Sequence, residues 1–382
     1  MFTQLDRAFS DAYTNASGGG GPGRDDWEEV EGCWVLRPPD GVKPKAVVQF
    51  VGGAFVGASP NLTYKLFLER LSERGFLVVA APHSTSFNYA ATADEVHFKF
   101  ARAAARLEAE AEGLPVFGVG HSLGCVLHLL IGSRYPVQRQ GNVFMSFNNR
   151  PATDAIPLFS PVVSPAAAAL GPLFRQLAES PLSAPLDNIS EQVRSLSPPV
   201  VQQFLPLLDQ LRPLYEDLAA GTREFSPAPK EIKRLIKGYY GTSKNFLIRF
   251  RADELDETPF LTNLLQNESA ISPALDLTVR TLPGDHTRPL QQNIPDLPPE
   301  LLGAVSQGSE MLDMVAGMAG PMGAAGTPLG DLAKGVKQGL EATVSVETGA
   351  SAANDVAELA EEIAGWIDLC ALRLLPASTR RD

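Results

Sequence analysis

From residue 27 onward the chain alternates short apolar runs with stretches whose apolar positions recur at helical spacing. Residues 33–37 read as a strand. Residues 46–51 (Ala-Val-Val-Gln-Phe-Val) are apolar almost without break, as expected for a strand buried on both faces. A helix is predicted over 62–73, a strand over 75–80, a long alanine-rich helix over 90–112, and strands over 115–119 and 142–147. Strands separated by helical stretches need crossover connections, so the pattern predicts an α/β fold with a mostly parallel, doubly wound sheet.

The alternation stops at residue 151. As far as 243 the chain shows proline-punctuated apolar helices, such as 200–218, and reads as an inserted helical cap. Strand character returns at 245–250 and 275–280. The core is therefore expected over 27–150 and 244–299, behind a flexible glycine-rich lead-in over 1–26. Residues 300–349 form a second insertion rich in Gly, Ala and Met. In the last segment, 350–382, Val356, Leu359, Ile363, Trp366, Ile367, Cys370 and Leu374 share one helical face, which should close over the sheet with Trp366 in the core.

Composition narrows the function classes. The net charge of -12 offers no basic stripe for nucleic acid. The three cysteines, Cys33, Cys125 and Cys370, lie too far apart for a metal motif and suggest a reducing, intracellular setting. The longest uncharged run, 155–174, contains four prolines, which argues against a spanning helix. No cofactor or metal is expected.

The chemistry concentrates at Val116-Phe117-Gly118-Val119-Gly120-His121-Ser122-Leu123-Gly124, where an apolar strand meets Gly-x-Ser-x-Gly and then a helix. Strand, sharp turn and helix are the context in which a serine hydroxyl is lifted clear of a sheet edge. A serine is a weak nucleophile and needs a base. Of the five histidines, His83, His97, His121 and His128 read as structural. His286 follows the last strand in a loop, where a base can reach Ser122. An orienting acid should follow the preceding strand; Asp253 stands nearest its end, with Asp256 as rival and Glu254 and Glu257 on the surface. The backbone N–H groups of Leu123 and of Gly53 or Ala54 are the candidates for stabilising an oxyanion.

These residues carry a resemblance. Phe50-Val51-Gly52-Gly53-Ala54-Phe55-Val56-Gly57-Ala58, Leu62-Thr63-Tyr64, the Gly118–Ser122 turn, Ser146-Phe147-Asn148-Asn149 and the stretch from Asp253 to Thr258 are similar to the domain of unknown function 1350 family over residues 28–295. The resemblance implies an alpha/beta-hydrolase fold, a phototroph source and a chloroplast setting, with the cytoplasm as the alternative, and no settled substrate. Many such hydrolases have His-Gly at the oxyanion loop; Val51 stands in the histidine position here. The chain order Ser122, Asp253, His286 is that of the triads of this fold. The expectation is a serine esterase, lipase-like enzyme or thioesterase acting on an apolar, lipid-like acyl substrate. The cap would roof the site and offer peripheral membrane contact. The alternatives are an acyltransferase with the same machinery and a non-catalytic binding or assembly module.

Overall fold

A computed structural model of the 382-residue chain describes residues 27–54, 56–152, 217, 221–290 and 349–372. The chain divides into two compact units. One comprises Asp26–Asn149, Phe225–Asn293 and Glu347–Asp382; the other comprises Met1–Asp25, Arg150–Glu224 and Ile294–Val346. The lead-in, the apolar helix expected over 200–218 and the insertion over 300–349 lie outside the described residues, apart from Asp217 and the helix start at Gly349. In the second unit, the Ala152 N–H donates to Glu224 Oε1 at 2.9 Å.

The first unit is built on an eight-stranded sheet: β1 (Trp27–Val30), β2 (Cys33–Leu36), β3 (Ala46–Val51), β4 (Phe76–Ala80), β5 (Val116–His121), β6 (Gly141–Met145), β7 (Lys244–Phe250) and β8 (Asp276–Leu282). Its spatial order is β1-β2-β4-β3-β5-β6-β7-β8. The β1–β2 and β2–β4 pairs are antiparallel and every other pair is parallel. This is the alpha/beta-hydrolase sheet. The hairpin β1–β2 was not legible as a pair of strands in the sequence. It turns on Glu31 and Gly32, both at positive φ (50° and 78°), the backbone of a two-residue hairpin turn.

Buried strands alternate their side chains between two apolar layers. Val47 and Val51 of β3 face one layer, with α2 (Tyr89–Arg106), α3 (Leu123–Arg134) and α4 (Pro229–Tyr239). Val48 and Phe50 face the other, with α1 (Lys65–Glu73) and α6 (Gly349–Leu372). The face of α6 that carries Val356, Leu359, Ile363 and Ile367 is fully buried, and Trp366 packs on Phe117 and Phe246 at centroid distances of 5.9 and 5.6 Å. The expected cap, drawn to residue 243, is corrected at its end. Ile232 and Ile236 of α4 are buried in the same layer as α3, so from Phe225 the chain has returned to the core unit. Proline and the lack of a strand before 244 hid this crossover helix among the helices expected of the insertion. Among the described residues no helix is long and apolar enough to cross a membrane.

The topology decides where a site can form. β3 lies between β4 and β5; the chain leaves β3 for β4 on one side and leaves β5 for β6 on the other. At such a reversal the two outgoing loops diverge and open a crevice at the carboxyl ends of the strands. The loop after β3 begins at Gly52, and the residue after β5 is Ser122.

Candidate active site

Ser122 links β5 to α3 with φ 53° and ψ -119°, a conformation costly for any residue with a side chain. The turn holds because its neighbours press in from all sides. A Cβ on Gly120 would lie 2.8 Å from the Gly124 backbone, and one on Gly124 would lie 2.0 Å from the Val51 carbonyl oxygen. Only glycines allow the elbow to pack against β3. The Ser122 N–H continues the sheet ladder to Met145 O at 3.0 Å, so the strained residue is anchored to the next strand.

The structure brings three of the predicted side chains together. His286 Nε2 lies 3.1 Å from Ser122 Oγ, and His286 Nδ1 lies 2.9 Å from Asp253 Oδ2. Asp253 is fully buried at its side chain and also accepts the Leu255 N–H at 2.9 Å. Burial opposes its charge, but the hydrogen bonds from His286 and from the Leu255 amide prevail and hold the carboxyl below its usual range. An ionised Asp253 fixes the tautomer: Nδ1–H donates to the carboxylate, leaving Nε2 free to accept the Ser122 hydroxyl proton.

Asp256 is not part of this group. Its carboxylate accepts the Thr258 N–H at 3.0 Å and the Thr258 hydroxyl at 2.7 Å, at the start of α5 (Thr258–Asn263). Burial pushes its carboxyl up, against the Thr258 hydrogen bonds. Glu257, expected on the surface, is half-buried: its Oε2 accepts the Asn149 N–H at 2.6 Å, and its own N–H donates to Phe147 O at 2.6 Å.

The oxyanion loop needs a correction. The Gly53 N–H is donated to Tyr64 Oη at 2.8 Å, so it does not face the nucleophile as a free donor. The N–H groups of Ala54 and Leu123 have no partner among the described residues, and Leu123 opens α3, where the helix dipole adds to its donor strength. That pair is left free to donate to an oxygen placed beside Ser122. His83, buried and kept neutral by that burial, braces the same loop, with Nε2 3.1 Å from Gly52 O and its backbone N–H on Gly57 O at 3.1 Å.

Four site residues escaped sequence reasoning. The Tyr64 hydroxyl accepts from Gly53 and donates to His121 Nδ1 at 2.8 Å. His121 Nε2–H in turn donates to the His286 carbonyl at 2.9 Å. Burial pushes His121 down to about 3, which keeps it neutral in this relay. The relay ties the oxyanion loop to the backbone of the base. The third residue is Asn148, whose Nδ2 donates to Ser122 Oγ at 3.2 Å. The fourth is Arg288, buried beside His286. Its guanidinium donates to the Pro283 carbonyl, to Asp355 O at 2.8 Å and to Glu358 Oε2 at 2.6 Å, bolting the base loop to α6. Tyr64, His121 and Asn148 stood inside the stretches that carried the family resemblance; Arg288 left no signal beyond its residue type.

Comparison with known proteins adds a family. The model of a family described as protein of unknown function (DUF1350) matches residues 26–182 and 186–297. No curated protein matches the sequence. Among solved structures, the chain is similar to a highly thermostable carboxyl esterase from Bacillus coagulans in complex with glycerol, at 16% identity over 68% of this chain and 89% of that one, with a TM-score of 0.38. It is similar to the thioesterase domain from the curacin biosynthetic pathway at 13% identity, over 75% and 98% of the two chains, with a TM-score of 0.37. A lipase in an open form aligns at 13% identity over 76% and 97%, with a TM-score of 0.39.

Proposed function

The chain belongs to the DUF1350 family, and from its geometry we propose that it is a serine hydrolase cleaving an ester or thioester bond. The observation that carries this reading is the continuous line from Ser122 Oγ through both nitrogens of His286 to the buried carboxylate of Asp253. Ser122 Oγ attacks the acyl carbon while His286 Nε2 takes its proton. Asp253 stabilises the imidazolium that results. The Leu123 and Ala54 N–H groups receive the carbonyl oxygen as it becomes negative. His286 then passes the proton to the departing alcohol or thiol. A water molecule, or an alcohol acceptor, repeats the sequence on the acyl-serine and frees the enzyme.

An apolar acyl group is part of the proposal, supported by the leucine-rich sequence between the core segments, including Leu205, Leu207, Leu208 and Leu211. Removed from water, each further methylene of such a group contributes up to about 0.8 kcal/mol. The test is labelling by a fluorophosphonate probe, with turnover of p-nitrophenyl esters from acetyl to dodecanoyl. Wild type labels and turns over, and Ser122→Ala does neither, with a loss of about 10⁴-fold or more. Turnover retained in purified Ser122→Ala refutes the mechanism, and a profile that peaks at acetyl refutes the apolar acyl group.

A further inference from the structure

We propose that Asn148 is a catalytic residue, the hydrogen-bond donor that fixes which lone pair of Ser122 attacks. This rests on the serine-hydrolase reading above and goes further into the same site.

A serine oxygen has four tetrahedral directions: the bond to Cβ, the O–H and two lone pairs. His286 Nε2, at 3.1 Å, takes the O–H. Two lone pairs would then remain, and rotation about the Cβ–Oγ bond would be limited by the histidine alone. Asn148 Nδ2–H occupies one of them at 3.2 Å. One lone pair is left, and its direction is set by the other three. The attacking orbital is aimed before substrate arrives, which is orientation held in advance of the reaction.

The backbone around Asn148 is built to hold that amide still. Ser146, the first residue past β6, has φ 54°, so a second strand end takes a positive φ, as Ser122 does. Its N–H continues the ladder to Ile248 O at 2.9 Å. Phe147 is fully buried, and its carbonyl accepts the Glu257 N–H at 2.6 Å. On the far side, the Asn149 N–H goes to Glu257 Oε2 at 2.6 Å and Asn149 Nδ2 to Pro229 O at 3.1 Å. Asn148 is thus clamped on both flanks, while its own side-chain amide is spent on the nucleophile. A loop serving only to end a strand has no use for a donor aimed at a reacting atom.

The bond does more than orient. An oxygen that accepts a hydrogen bond becomes a better donor through its own O–H. Asn148 therefore strengthens the Ser122-to-His286 bond, which requires a neutral imidazole. In the reaction the Ser122 O–H bond breaks, the Oγ–C bond forms and the proton moves to His286 Nε2. Asn148 keeps both of its protons throughout.

The test measures the second-order rate of fluorophosphonate labelling, in which Ser122 Oγ bonds to phosphorus, fluoride leaves and no later step is read, across pH for wild type, Asn148→Ala and Asn148→Asp. In the alanine variant the rate falls about tenfold, as for one lost hydrogen bond of about 1.4 kcal/mol, and the acidic limb of its pH profile moves upward. The aspartate variant keeps the shape but turns donor into acceptor. Its carboxylate competes with His286 for the Ser122 proton, so it is slower than alanine and its acidic limb lies higher still. Thermal unfolding separates misfolding from chemistry, and the isosteric aspartate serves if alanine fails to fold. Labelling within twofold of wild type in either folded variant, or aspartate as fast as alanine, overturns the proposal. If wild type itself does not label, it is the serine-hydrolase reading that fails; a wild type that labels beside unaffected variants removes only the role of Asn148.

Discussion

Replacing Tyr64 by Phe tests whether the oxyanion loop is held by one hydroxyl. The change removes a single oxygen and keeps the ring, which is fully buried and packs edge-on to Phe50 with centroids 4.7 Å apart. Two groups lose their partner: the Gly53 N–H and His121 Nδ1. A buried polar group left unpaired costs about 1–3 kcal/mol, and the phenylalanine recovers part of that by burying no hydroxyl of its own. The expected loss of stability is about 2–4 kcal/mol by urea unfolding. Activity should fall further than stability alone explains. Gly53 immediately precedes Ala54, and a misplacement of about 1 Å at a reacting centre costs about 10²-fold. The expectation is a fall in kcat of about 10- to 10²-fold at temperatures where the variant is fully folded. Burial keeps the phenol protonated far into alkali, so the effect should not vary with pH across the assay range. A double-mutant cycle with His121→Gln should give a coupling of about 1 kcal/mol or more, because the two residues share one bond. Stability within about 0.5 kcal/mol of wild type, with unchanged kcat, would refute the idea that this hydroxyl holds the loop.

Three further outcomes follow from the same geometry. Asp253→Asn should lower kcat/KM about 10³- to 10⁴-fold by presenting the wrong tautomer of His286, whereas Asp256→Asn should leave kcat/KM within about tenfold and act on α5 stability; the reverse ranking in ester assays would move the acid. His121, held down to about 3, stays neutral when folded but takes up a proton when unfolded below about pH 6.5. The unfolded state then binds more protons, so stability should fall as pH drops from about 6.5 towards 3, by up to about 1.4 kcal/mol per pH unit for this residue. His121→Gln should remove that share of the slope in urea titrations, and an unchanged slope would contradict it. Arg288→Met should cost about 2–4 kcal/mol by stranding the Pro283 and Asp355 carbonyls, and should lower kcat by loosening His286; wild-type values for both would show that the clamp is idle.

What could be read in the sequence was local. The elbow is a five-residue pattern, and its glycines report close packing wherever it falls. Asp253 and His286 each follow a strand, and parallel strands deliver their following residues to one edge, so chain order alone brought them near Ser122. The contacts between distant segments could not be read this way. Whether Gly53 or Ala54 offers its amide depends on Tyr64, eleven residues on, reaching back with its hydroxyl. His121 looked idle because its ring turns away from its neighbour Ser122, towards a carbonyl 165 positions later. The boundary of the insertion failed for a related reason: α4 has the amphipathic pattern of any surface helix, and only its partner α3 shows that it belongs to the core. Expectations about the cap's roof, the membrane and the chloroplast concern residues or settings beyond the described structure.

The clamp formed by Arg288 sets an order of events during synthesis. Ser122 emerges from the ribosome first, then Asp253, then His286, and the helix that seats the base loop emerges more than sixty residues after His286. Domains fold as units while the chain is being made. Until α6 is available, Arg288 lacks its Asp355 and Glu358 partners and holds only the Pro283 carbonyl of its own loop, so the loop that carries His286 is untethered on that side. A nascent chain therefore carries its nucleophile for some time without a seated base. In the proposed hydrolase the centre is complete only once α6 has been made, so a chain ended before Asp355 should be far slower towards an ester than the full chain.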